Sequence, residues 1–183
     1  FTLNHLVTQF YDYSRLTAGD YELTPERVDA ARMLRESLMG SYQLLEQAKL
    51  HIAVRIPEHP VWISADPAAL ERIFLNVFQN AGRYADTFFQ ITVQKQADCA
   101  VIVFENDTSK LSKEDLPYLF DRFYVHDPSR SQGSTGLGLT VARSLAEKMN
   151  GSLTAHILQD PASLDEICCK SVRLQLKLLL HTM

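Results

Sequence analysis

The chain has 183 residues, 46% of them apolar and 22% charged, and a formal net charge of −4. That length suits one domain, or one domain with a short attachment, and the apolar share is enough for a buried core. The mild acidity argues against a nucleic-acid module, which shows a basic face, and no apolar run is long enough to cross a bilayer.

Leu3, Leu6, Val7, Phe10, Tyr13 and Leu16 recur at helical spacing, and Gly19-Asp20 stops that helix. The chain opens at Phe1, without an initiator Met and already in helical rhythm, so it reads as a piece of something longer. No secretory signal opens it. A second helical pattern runs from Glu26 to Leu50, with Val28, Met33, Leu34, Leu38, Tyr42 and Leu45 as candidate core positions. His51 to Ile56 and Val61 to Ser64 read as strands around a Pro-containing turn. A helix follows from Pro67 to Tyr84, with Asp66 as its cap and Pro in the favoured first position.

Two more strands are predicted over 88–94 and 100–104, and Asn106-Asp107-Thr108-Ser109 has turn composition. A short helix fits 113–123, and a polar, glycine-containing stretch spans 126–134. A helix from Thr135 to Met149 ends at Asn150-Gly151. The last strands are 152–158 and 168–179. This order predicts an α+β fold, a mixed sheet with helices on one face.

Cys99, Cys168 and Cys169 are odd in number, and the adjacent pair points to opposite faces of a strand. That is poor zinc-site spacing, so they read as free thiols in a reducing compartment.

Chemistry concentrates in two places. On the helix after Asp66-Pro67, Phe74, Val77, Phe78 and Ala81 fall on one side, while Asn76, Asn80 and Arg83 fall on the other. At about 100° per residue these three lie within roughly 60° of one another. Asparagine oxygens serve a hard cation such as Mg²⁺, which takes few protein ligands and keeps waters. A guanidinium pairs with phosphate oxygens. Tyr84 borders that stripe, where it can lie against a base. An ordinary amphipathic helix shows the same polar face. The second place is Gly133-Ser134-Thr135-Gly136-Leu137-Gly138-Leu139, where glycines open a helix. Glycine lets backbone approach a phosphate closely, and a helix start offers free N–H groups to an anion.

Together these segments resemble a known family. Residues 76–84, Asn-Val-Phe-Gln-Asn-Ala-Gly-Arg-Tyr, are similar to the N box of the histidine-kinase branch of the GHKL ATPases. Residues 116–124, Leu-Pro-Tyr-Leu-Phe-Asp-Arg-Phe-Tyr, resemble the F box, and Thr135-Gly136-Leu137-Gly138-Leu139 resembles the G2 box. Tyr13-Ser14-Arg15-Leu16-Thr17-Ala18-Gly19 is similar to the end of the second dimerisation helix of these kinases.

The resemblance implies a Bergerat-type ATP-binding sandwich over 20–183, preceded by a dimerisation-helix remnant over 1–19. It implies that Asn80, with Asn76, holds Mg²⁺ on the phosphates of ATP. Arg83 would touch phosphate and Tyr84 the adenine. Phe120 and Phe123 would anchor a lid over 124–134. Gly133, Ser134, Thr135, Gly136, Leu137, Gly138 and Leu139 would form the phosphate-receiving segment. The implied partners are the parent kinase's dimerisation domain and a response-regulator receiver domain. The implied parent is a membrane-bound homodimer with this domain in the cytoplasm.

Three departures qualify the resemblance. The family's G1 box reads Asp-x-Gly-x-Gly, but this chain has Asn106-Asp107-Thr108-Ser109-Lys110. Asn106 stands where the adenine-reading Asp would be, and an amide can both accept and donate there. Asp107 is the alternative by a one-residue register change. Val125 occupies a position where many relatives carry Arg; His126, Arg122 or Arg130 would have to compensate. None of His5, His51, His59, His126, His156 or His181 has the phospho-acceptor context, so no labelling in cis is expected. The alternative to a kinase domain is a degenerate GHKL module with a regulatory or interaction role.

Overall fold

The structure is a computed structural model. It describes residues 3–19, 21–125, 135–158 and 172–182, with backbone alone for residues 3–6, 8, 9 and 12.

The elements run α1 (Leu3–Ala18), β1 (Glu26–Asp29), α2 (Ala30–Gln47), β2 (His51–Arg55), β3 (Trp62–Ala65), α3 (Pro67–Tyr84), β4 (Phe88–Lys95) and β5 (Cys99–Thr108). A 3-10 turn (Lys113–Tyr118), α4 (Gly138–Lys148), β6 (Ser152–Leu158) and β7 (Val172–His181) follow. Five strands form one mixed sheet in the order β2-β4-β5-β7-β6, and β1 pairs with β3 in a separate two-stranded sheet. β2 and β4 pair in parallel, with α3 in the crossover between them. The other pairs in the large sheet are antiparallel.

One face of this sheet is apolar by strict alternation. Phe89, Ile91 and Val93 on β4, Ile102 and Phe104 on β5, and Leu174, Leu176, Leu178 and Leu180 on β7 are all buried. α3 lays Leu70, Ile73, Phe74, Val77, Phe78 and Ala81 against that face, the spacing of a helix stripe. Phe74, Phe78, Phe89 and Phe104 form a ring cluster with centroids 6.1 to 6.5 Å apart. Burying each such side chain stabilises the fold by about 1.5–3 kcal/mol. α2 and α4 flank α3, and α1 packs on α4.

Four predicted boundaries differ. The helix expected from Glu26 begins at Ala30. Residues 26–29 instead pair with residues 62–65, and Asp29 accepts from the N–H groups of Ala31 and Arg32 and so starts the helix. The turn expected at 106–109 is strand through Thr108, because Asn106 pairs with both Phe89 and Leu174. The helix expected over 113–123 is a short 3-10 turn containing Pro117, which has no N–H to give. The helix expected from Thr135 starts at Gly138. Cys168 and Cys169 lie outside the described residues.

Candidate functional site

The polar stripe of α3 does not face open solvent. Asn76, Gln79, Asn80, Arg83 and Tyr84 form one wall of a cleft that opens to solvent. The other walls are Leu111, Leu119, Tyr124, Thr135, Gly136, Gly138 and Leu139. Asn76 is 3% exposed and sits at the base of the stripe. Arg83 is the one charged side chain among these lining residues. Burial pulls its guanidinium below the ordinary value, and it stays cationic at neutral pH.

The wall opposite α3 is built on a glycine. Gly136 has φ +64°, and a Cβ placed there would lie 2.5 Å from the Phe123 carbonyl carbon. Only glycine fits this left-handed, crowded position. Phe123, itself at φ +61°, donates its N–H to the Gly136 carbonyl at 3.2 Å. The two chain segments that flank residues 126–134 are thus joined backbone to backbone. Thr140 Oγ1 adds a bond to the Phe120 carbonyl at 2.9 Å.

α4 starts at the cleft with Gly138 and Leu139. Leu137 at its N-cap has no capping side chain, and the Thr135 hydroxyl accepts the Leu137 N–H at 3.1 Å; the N–H groups of a helix start suit an anion. Tyr124 donates to Asp115, and Asp115 also accepts from the N–H and hydroxyl of Ser112 at 2.7 and 2.8 Å. Burial, and then this bond, push the Tyr124 hydroxyl up to about 12. It therefore faces the cleft as a neutral phenol.

This donor set fits a polyanion that carries its own cation. The lining holds three carboxamides, one guanidinium and a helix start, and no carboxylate. Carboxamide oxygens suit a Mg²⁺ ion that is mostly ligated by phosphates and water.

Residues 65–178 match the family described as histidine kinase-, DNA gyrase B- and HSP90-like ATPases. The chain belongs to that ATPase family. It is 29% identical over 160 residues to the sensor histidine kinase YcbM of Bacillus subtilis, covering 84% of this chain and 51% of YcbM. Its fold superposes on the Acinetobacter baumannii histidine kinase AdeS with a TM-score of 0.73 at 20% identity, covering 98% of this chain and 78% of that one. It also superposes on full-length ShkA, solved with AMPPNP, with a TM-score of 0.75 at 19% identity, covering 98% of this chain and 36% of that one. The chain spans about half or less of the sensor-kinase relatives YcbM and VanS. The fold is that of histidine kinase catalytic domains, α+β with helices on one face of a mixed sheet.

Within this ATPase fold the structure gathers Asn76, Asn80, Arg83, Tyr84, Thr135, Gly136, Gly138 and Leu139 around one cleft. It does not bring the others there. Leu137 is 1% exposed and buried as core. Phe120 packs against the core under the Arg143 guanidinium, 5.0 Å from its ring centre, while Phe123 is 61% exposed. Asn106 lies on the inner sheet face, 4% exposed, and its amide donates to the Asp107 carbonyl at 2.9 Å. The Asp107 carboxylate accepts from the N–H groups of Thr87 and Phe88 at 2.9 and 3.0 Å, and from the Thr87 hydroxyl. Neither residue lines the cleft. Gly133, Ser134, His126 and Arg130 lie outside the described residues.

Sequence reasoning missed Gln79, Leu111, Leu119 and Tyr124 as lining residues. Gln79 was within reach, since helical geometry puts it roughly 60° from Asn76. The other three come from loops and turns whose path no periodicity reports.

Proposed function

We propose that the cleft binds Mg·ATP and that the chain is the catalytic domain of a sensor histidine kinase. The observation that carries this is the convergence of the Asn76–Asn80–Arg83 stripe and the Gly136 cradle on one cleft. Membership of the ATPase family and the likeness to sensor kinases support it.

Bound Mg·ATP supplies the phosphoryl group and the cation that spreads its charge. The side-chain oxygens of Asn80 and Asn76 hold the metal, and Arg83 pairs with phosphate oxygens. The backbone at Thr135, Gly136 and Gly138 receives the phosphates at the start of α4. Tyr84, with Leu111 and Leu119, lies against the base. The reading gives no nucleotide contact to Asn106 or Asp107, whose polar groups are engaged within the fold.

The γ-phosphorus–oxygen bond to ADP breaks as a phosphorus–nitrogen bond forms at a histidine imidazole. That histidine belongs to the dimerisation region of the parent kinase, whose second helix ends over residues 1–19. A receiver aspartate of a response regulator then takes the group. The parent acts as a homodimer at the membrane. Among the described residues no helix is long and apolar enough to cross a membrane.

The test is calorimetric titration with a non-hydrolysable ATP analogue, with and without Mg²⁺. Wild-type affinity should rise with Mg²⁺. Asn80→Ala should lose that Mg²⁺-dependent gain while keeping its melting temperature without ligand. Equal affinities for wild type and variant would remove Asn80 from the metal site. No binding by wild type would remove the function.

A further inference from the structure

Where the G1 box has glycines this chain carries Thr108 and Lys110, and polar contacts from Asp107, Ser109 and Lys110 reach one target. The Asp107 carbonyl accepts from the Asp86 N–H at 3.1 Å. The Asp107 carboxylate accepts from Thr87 and Phe88. Ser109 donates its N–H to the Asp86 carboxylate. The Lys110 ammonium donates to the Arg83 carbonyl at 3.0 Å. Every partner lies in residues 83–88, where α3 ends and β4 begins.

Two of these contacts are halves of one missing helix bond. Were α3 to continue, the Thr87 N–H would bond the Arg83 carbonyl, four residues back. Asp107 takes that N–H and Lys110 takes that carbonyl. The last bond of the series to form is Ala85 N–H to the Ala81 carbonyl at 2.9 Å, and the next N–H, of Asp86, already turns to the Asp107 carbonyl. The helix therefore stops at Tyr84 with its last turn held from outside. A cation on a helix C-terminus also complements the helix dipole.

We infer that residues 107–110 are a clamp that fixes the last turn of α3, with Lys110 the positioning residue for Arg83 and Tyr84. The role rests on the nucleotide-binding reading of the cleft, because those two side chains form its wall. Lys110 is itself exposed and absent from the cleft lining, so it acts through the helix end rather than on the ligand. A Gly-rich segment has no side chain to do this; here the substitutions supply it.

The experiment compares Lys110→Met and Lys110→Arg with the wild-type chain. Without nucleotide, the Arg83 Nε–H and Tyr84 ring signals in NMR spectra should shift in Lys110→Met and return in Lys110→Arg. With the Mg²⁺-loaded analogue, Lys110→Met should bind roughly two- to five-fold more weakly, the scale of one helix-terminus charge contact, and Lys110→Arg should restore affinity. Unmoved Arg83 and Tyr84 signals in Lys110→Met would overturn the clamp, as would a loss that Lys110→Arg does not rescue. If wild type failed to bind the analogue, shifted and rescued signals would still uphold the clamp and would refute the nucleotide reading alone.

Discussion

The two ends of α3 are both held by a carboxylate, and they are held differently. At the N-terminus Asp66 is the cap itself. It accepts from the Ala69 N–H at 2.9 Å, and from the Thr24 N–H and hydroxyl at 2.8 and 3.1 Å. At the C-terminus the carboxylate is Asp107, 23 positions beyond the last helical residue and on another strand. The first end is a local device with one long-range contact added. The second is wholly long-range. The difference matters because the catalytic groups of the proposed site sit toward the second end. The N-terminal end fixes where the helix lies on the core; the C-terminal end fixes where Arg83 and Tyr84 face the cleft.

Substitution can break this comparison end by end. Asp66→Ala should have the largest effect on stability. It removes a helix cap, about 1 kcal/mol, and the bonds that the exposed Thr24 gives to the carboxylate. A hydrogen bond to a charged group contributes about 1.5–3 kcal/mol, so urea unfolding should show a total loss of about 3 kcal/mol. Asp107→Ala should cost less, about 2 kcal/mol, since its bonds are charge-assisted but partly solvated. The variant should also weaken binding of the analogue, which Asp66→Ala should not do beyond its effect on folding. The ends of an 18-residue helix are about 27 Å apart, so the two losses should add in the double variant to within about 0.5 kcal/mol. A large departure from additivity would mean that the ends are not independent supports.

The same contrast explains what was legible in the sequence. Asp66-Pro67 announces a helix start by local chemistry, and α3 begins where that chemistry says. The buried stripe from Leu70 to Ala81 and the polar stripe at Asn76, Asn80 and Arg83 follow from the helix period alone. What failed was non-local. Asn106-Asp107-Thr108 has turn composition, yet pairing with both β4 and β7 keeps it extended. The Asp107 carboxylate is held by Thr87 and Phe88, neighbours that no local rule could name, and neither Asn106 nor Asp107 lines the cleft. β1 was lost for the same reason, because residues 26–29 become a strand only by meeting residues 62–65. The Gly136 position was legible as a glycine requirement, but its partner, the left-handed Phe123, was not.

Acid gives the smallest and finest test of the comparison. Burial raises the Asp66 carboxyl, but the hydrogen bonds from Thr24, Ala69 and Ala68 outweigh it and leave it below its ordinary value of 3.8. Asp107 behaves alike: burial raises it, and the bonds from Phe88, Thr87 and Asp86 bring it below 3.8. Each group therefore titrates lower folded than unfolded. Its contribution is complete well above 3.8 and fades as pH falls through the depressed folded value. Asp66→Asn and Asp107→Asn keep one oxygen acceptor and remove the charge. Each should cost stability at pH 7, and that cost should shrink as pH falls below 3.8 and through the depressed folded value, where the wild-type carboxyl takes up its proton. Urea unfolding at stepped pH measures it. If the cost of Asp107→Asn stayed level across that range while that of Asp66→Asn shrank, the C-terminal end would be held by shape and amide geometry, and only the N-terminal end by charge.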